Sequence, residues 1–355
     1  MKILLLGEYS GLYTNLRDGL RKLGHEAVMA AGGDGWKNIV SDIRFDINAP
    51  PIINKVVRNI LPFFKLDQLS GFDIVQIINP LLLYRNFGIN RKFLRFVINN
   101  NNKIFLSAAG DDSFYSAAVN AQKFRYSPLP DYLKIDLRGR SFPYSEPAVI
   151  EWNKELASQV AGIIPIAYEY AEAYRNHEKV KATIPMPINL DNIKYIENKL
   201  NEKVVFYHGI SRPGFKGTCH IIKAFEALRH LHANDSEFII GDSLPYIKYL
   251  EVIKKANVII DQTSSYSCAM NALISMAMGK VVMSGNEPES MRELNQQQSP
   301  VINILPDEKS IISEIKILQN QRLTIPELGY KSRIFVEKNH NYIDVAQKYL
   351  NVWNA

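Results

Sequence analysis

Residues 261–289, DQTSSYSCAMNALISMAMGKVVMSGNEPE, decide the architecture of this chain. The stretch reads as a strand running into a polar turn, then a helix rich in small residues that stops at Gly279. A second apolar strand, Val281-Val282-Met283, follows, and then a polar turn holding Glu287 and Glu289. A helix between two short apolar runs is one αβ repeat of a doubly wound parallel sheet. In such sheets ligands bind beyond the carboxyl ends of the strands. Ser265, Asn271, Glu287 and Glu289 are therefore candidate ligand contacts, because each stands past a strand end and carries hydrogen-bonding groups.

The same alternation runs through the whole chain. In the first half, strands are expected at 2–6, 26–30, 73–78, 103–107 and 162–166, with helices at 13–23 and from Trp152. Residues 123–147 are rich in Pro, Tyr and basic side chains, lack periodicity, and read as a long loop or insertion. Pro185-Met186-Pro187 disfavours both helix and central strand, so the domain break is placed there. A second series follows, with strands at 203–207, 237–240 and 258–260 and helices at 218–232 and 244–254. The last helix is expected at 342–353, with apolar or aromatic residues at 342, 345, 346, 349 and 353. The expected division is 1–185, 186–336 and a final segment 337–355.

Length agrees with two domains, since 355 residues exceed the roughly 100–150 of a common single domain. A hydrophobic fraction of 46% with 22% charged residues describes an ordinary globular protein. No apolar run approaches a spanning helix or a signal peptide, so a cytoplasmic protein is expected. Cys219 and Cys268 form neither a disulfide framework nor a metal-ligand spacing, and are read as reduced thiols. The net charge is +6. Lysines and arginines at 55, 58, 65, 85, 91, 92, 95 and 103 face only Asp67 and Asp73 in that stretch, which also holds Ile60-Leu61-Pro62-Phe63-Phe64. Such a surface suits peripheral contact with an anionic membrane at its inner face, or is simply a set of solvated helix faces. No nucleic-acid motif is present.

Three further clusters carry chemistry. His208-Gly209 through Arg212, Lys216 and Gly217 follows a strand and opens a helix. A glycine-rich turn admits a ligand to backbone N–H groups, and two cations complete a diphosphate site. The order Lys-Gly does not fit a Walker A loop, and no metal is expected. Gly7-Glu8-Tyr9-Ser10-Gly11 is a second glycine turn, and Gly11 is a candidate ligand contact there, although the spacing is not a dinucleotide fingerprint. Asp111 and Asp112, past the strand at 103–107, can bind a sugar hydroxyl or move a proton; they can equally cap the next helix.

Together these segments resemble the GT-B glycosyltransferases, in particular the retaining "glycosyl transferases group 1" family. Arg212, Lys216-Gly217 and IIKAFEAL at 221–228 match its diphosphate segment. ISMAMGKVV at 274–282 resembles its E-A-M-A-x-G-K-P-V segment. The family's two glutamates, eight residues apart, fall at Tyr266 and Ile274, and its first-domain histidine is replaced near Asp111 and Asp112. The resemblance implies two Rossmann-like doubly wound domains facing a cleft, with a C-terminal helix crossing back to the first. It implies a cytoplasmic transferase moving a sugar from a nucleotide-diphosphate donor to a surface-glycan, lipopolysaccharide or lipid-linked acceptor, with retention and without metal or other cofactor. Arg212, Lys216, Asp111 and Asp112 would be catalytic. Gly11, His208, Gly209, Gly217, Ser265, Asn271 and Glu287 or Glu289 would bind donor. A non-catalytic partner subunit and a nucleotide-sugar 2-epimerase share the same fold and are the alternatives.

Overall fold

In the computed structural model, residues 1–32, 39–47, 51–83, 87–138, 140–229, 231–232, 234–241 and 246–355 are described. Arg85, counted in the basic stretch, and Leu244, an expected helix start, lie outside the described residues. The chain divides into two compact units. One comprises Met1–Ala118, Pro143–Asn189 and Tyr342–Ala355; the other comprises Val119–Phe142 and Leu190–Asn341.

The first unit is built on six parallel strands: β1 (Lys2–Leu6), β2 (Glu26–Ala31), β3 (Ile43–Arg44), β4 (Ile74–Ile77), β5 (Lys103–Ala108) and β6 (Gly162–Pro165). Their order, β3-β2-β1-β4-β5-β6, is that of a Rossmann sheet, with the switch point between β1 and β4. Helices cover both faces of such a sheet, so the central strand is continuously apolar; Ile3, Leu4, Leu5 and Leu6 are all fully buried. The helix Tyr342–Asn354 belongs to this unit and packs on the helix Leu12–Lys22. The backbones meet at Gly19, where a Cβ would fall 2.3 Å from the Tyr342 carbonyl oxygen. Trp353 is fully buried and donates its indole N–H to Gln76 Oε1 at 2.9 Å, while Lys103 Nζ donates to the Trp353 carbonyl at 3.1 Å.

The second unit has five parallel strands: β7 (Val204–Gly209), β8 (Ser236–Gly241), β9 (Val258–Ile260), β10 (Val281–Ser284) and β11 (Ile302–Asn303). The order β11-β10-β9-β7-β8 is the flavodoxin-like arrangement, whose switch point lies between the first and third strands, here β7 and β9. Phe206, Phe225 and Phe238 form its aromatic centre, with ring centroids 5.3 and 4.9 Å apart.

Val119–Phe142, expected within the first domain, folds instead with the second unit. The segment contains the helical turns Leu129–Asp131 and Tyr132–Asp136. Its aromatic and charged residues find their partners on the loops after β7, β9 and β10. The break in the chain also falls after Asn189 rather than at 185. No helix among the described residues is long and apolar enough to cross a membrane.

Candidate functional site

The switch point of the second unit gathers the loop after β7 and the residues after β9. Lys216, in the short helix Pro213–Lys216, is buried, and its Nζ donates to Asp261 Oδ1 at 2.6 Å. Asp261 is the first residue past β9. Its other oxygen, Oδ2, is buried without a hydrogen-bond partner among the described residues. Gly217 has φ +68°, and a Cβ there would lie 2.1 Å from Thr263 Oγ1; only glycine lets the two loops close. The Arg212 guanidinium lies over the rings of Phe215 and Tyr132, 3.9 and 4.4 Å from their centroids.

His208 has a different place from the one expected. It is fully buried within β7, where Nδ1 meets the Ile260 carbonyl at 2.8 Å and Nε2 meets Thr218 Oγ1 at 2.9 Å. A carbonyl only accepts, so Nδ1 carries the proton and Nε2 accepts from the threonine hydroxyl. Both nitrogens are used internally, which leaves no ring atom for a donor ligand; the residue fixes the end of β9 against the helix Thr218–Arg229. Burial lowers its pKa to about 4. Between that value and the ordinary 6.5 the unfolded chain binds the extra proton, so stability is full above about 6.5 and falls as pH drops towards 4. The loss approaches about 3 kcal/mol, since each tenfold difference in proton affinity between the folded and unfolded chain is worth about 1.4 kcal/mol. Thermal melts from pH 7 to 4.5 should show this slope in the wild type and lose it in His208→Gln; an equal slope in both proteins would refute it.

The helix start after Arg212 is occupied by the chain itself. Phe215 N–H donates to Asp136 Oδ2 at 3.0 Å, and a Cβ on Gly214 would fall 2.4 Å from the Asp131 carbonyl oxygen. Gly209 ends β7 opposite Gly241 of β8. Ser265 and Asn271 are both half-buried. The Ser265 carbonyl abuts Gly285, where a Cβ would approach to 1.7 Å, and Asn271 sits in the first turn of the helix Met270–Ala277.

Glu287 and Glu289 are also engaged by the Val119–Phe142 segment. Glu287 accepts from Arg125 Nη2 at 2.6 Å, Tyr126 Oη at 2.7 Å and Asn303 Nδ2 at 2.9 Å. Arg125 bridges from Glu287 to Glu289, and this pairing holds the Glu289 carboxyl below its usual range. The Arg125 amide donates to Tyr266 Oη at 2.7 Å, and the Tyr126 ring lies 5.0 Å from that of Tyr266. Glu287, buried and accepting from three donors, has no open face for a ribose, whereas Glu289 is half-buried and paired with Arg125. Tyr266 itself, at one of the two expected glutamate positions, serves as the floor for the segment; Ile274, at the other, is buried in the helix Met270–Ala277.

In the first unit, the turn after β1 is filled by Glu8. Its carboxylate accepts from Gly11 N at 2.9 Å and from both Thr14 N and Thr14 Oγ1 at 2.8 Å. The Gly11 amide, expected to face a ligand, is thereby used to anchor the helix start. Asp112 takes the capping role: Oδ1 accepts from Tyr115 N and Oδ2 from Tyr174 Oη, each at 2.7 Å. It is 1% exposed, and burial pushes its pKa up to about 6, so it presents no face to a substrate. Asp111 is half-buried, and its carbonyl accepts from Asn79 Nδ2 at 2.9 Å.

Four residues of this arrangement were not singled out in the sequence. Asp261 obeys the same strand-end rule that selected Ser265. Arg125, Tyr126 and Asp136 carry no local signal, because their partners lie far away in the chain.

No protein-family model matches the chain, and no curated protein matches its sequence. Solved structures match its fold over its whole length. Sucrose-phosphate synthase from Thermosynechococcus elongatus is 12% identical, with a TM-score of 0.63 over 100% of this chain and 98% of that one. Anabaena HepE in complex with UDP-glucose is 12% identical, with a TM-score of 0.58 over 100% and 99%. A candidate UDP-N-acetylglucosamine 2-epimerase from Listeria monocytogenes is 11% identical, with a TM-score of 0.54 over 99% and 95%. The chain therefore has the fold of two parallel-sheet, Rossmann-like domains found in solved GT-B glycosyltransferases.

Proposed function

We propose that this chain is a glycosyltransferase that moves a sugar from a nucleotide-diphosphate donor to a glycan or lipid-linked acceptor. The observation that carries the reading is the cationic pair Arg212 and Lys216, held by Tyr132, Phe215 and Asp261 at the switch point between β7 and β9. That is where ligands bind in sheets of this order. The likeness to a structure containing UDP-glucose supports the choice of ligand. The diphosphate would displace Asp136 from the Phe215 amide and draw on the charges of Arg212 and Lys216. As the bond from sugar C1 to the diphosphate oxygen breaks, those charges stabilise the leaving group without a metal. The acceptor hydroxyl attacks C1 from the same face, giving retention, and its proton passes to a phosphate oxygen. Ser265 and Asn271 are the remaining donor contacts, and Asp111 the candidate for the acceptor hydroxyl.

A second reading, a non-catalytic partner subunit, is favoured by Arg125, Tyr126 and Asp136, which cover both the carboxylates and the helix start expected to meet a donor. Thermal melts with UDP, GDP, ADP, CMP and TDP, with and without EDTA, separate the two. A ligand at 100 times its Kd adds about 2.7 kcal/mol of stability. One diphosphate should raise the melting temperature, and EDTA should leave that rise intact. No rise with any nucleotide would favour the non-catalytic subunit, and formation of an epimeric sugar nucleotide without acceptor would instead identify an isomerase.

A further inference from the structure

The spacing of the cysteines gives no metal-ligand pattern, but the fold builds one around Cys219. Cys219 and His220 occupy the first turn of the helix Thr218–Arg229, and Asp131 ends the helical turn Leu129–Asp131 of the inserted segment. One carboxylate oxygen, the Cys219 Sγ and one imidazole nitrogen all lie within 4.8 Å of one another. Among the described residues, none of the three side chains has a hydrogen bond or ion pair to the protein. Three convergent donors of different chemistry, drawn from segments about 90 residues apart and satisfied by none of the described residues around them, are the elements of a cation site.

We propose that Asp131, Cys219 and His220 bind a zinc ion. A thiolate, an imidazole and a carboxylate together suit zinc, whereas magnesium and calcium take oxygen ligands. Bond lengths of 2.0–2.3 Å place tetrahedral neighbours roughly 3.5 Å apart, so side-chain rotations of about 1 Å close the site. Cys219 is exposed, which leaves the fourth position facing solvent and available to water. Binding deprotonates the thiol and releases that proton to the buffer. The ion ties the Val119–Phe142 segment to the helix that follows Gly217. That segment also supplies Tyr132 and Asp136 to Arg212 and Phe215, so zinc fastens a strap beside the switch point without entering the transfer itself. A cross-link of this kind closes a long loop, where such links have most effect.

The full chain, purified with chelator and dialysed, should bind one equivalent of zinc and melt at a higher temperature with it. Cobalt in its place should give a thiolate-to-metal charge-transfer band. Cys219→Ser should abolish the band, and His220→Ala and Asp131→Asn should each weaken zinc roughly ten- to a hundredfold, at least the effect of losing an outer-shell partner. Zinc should slow the reaction of Cys219 with a thiol reagent while Cys268 reacts at an unchanged rate. Because Cys219 is exposed, the metal-free Cys219→Ser protein should melt like the metal-free wild type, which separates loss of the site from loss of the fold. Absence of stoichiometric zinc, zinc binding unchanged in the three variants, or Cys219 protection by zinc unchanged in His220→Ala and Asp131→Asn, would overturn the site.

Discussion

Lys216→Ala should lower the rate of sugar transfer by roughly 10²–10³, the effect of removing one donor aimed at developing negative charge. The lysine also pairs with buried Asp261 at 2.6 Å, so the same substitution leaves a carboxylate uncompensated. Breaking one partner of such a pair typically destabilises by about 3–5 kcal/mol. The two effects separate in Lys216→Met combined with Asp261→Asn, which removes both charges at once. The double variant should recover most of the lost stability while its rate stays low. Full transfer activity in either protein, once shown to be folded, would remove Lys216 from the mechanism. Recovery of rate together with stability would make the pair purely structural.

Trp353→Ala should destabilise the first unit by about 3–5 kcal/mol, the range for deleting a large buried aromatic. The side chain is fully buried beside Phe105 and Tyr349, and its N–H satisfies Gln76, which is itself fully buried. Trp353→Phe keeps most of the apolar volume but strands the Gln76 oxygen, and should lose about 1–3 kcal/mol. Urea unfolding followed by far-ultraviolet circular dichroism measures both. A loss below about 1 kcal/mol in the alanine variant, under the range for such deletions, would show that the last helix contributes little to the first unit.

The elements that repeat an apolar period were legible in the chain. The helix expected at 13–23 is found at Leu12–Lys22, and the strand expected at 258–260 is found there, because burial on one helical face or on both sheet faces leaves a pattern in neighbouring residues. The two-residue edge strand Ile43–Arg44 left none, being too short to show a period. At the site, the strand-end rule located the loops of the second unit but misjudged what individual side chains do there. His208 read as a donor contact yet is buried and internally bonded, while in the first unit Asp112 takes the helix-capping role, one of the two left open for it. A strand end looks the same in sequence whether its side chain turns towards a ligand or into the body of the sheet.

Two doubly wound parallel sheets, and the loops between strand and helix where charge collects, can be read from local sequence, since periodicity and glycine stops act over a few residues. Which side chains meet across those loops depends on the folded chain. The joining of Lys216 to Asp261, the Arg125 bridge to Glu287 and Glu289, and the convergence of Asp131 on Cys219 and His220 all link residues 45 or more positions apart. Pairings over such distances depend on how whole strands and an aperiodic segment are laid beside one another, and no local propensity encodes them.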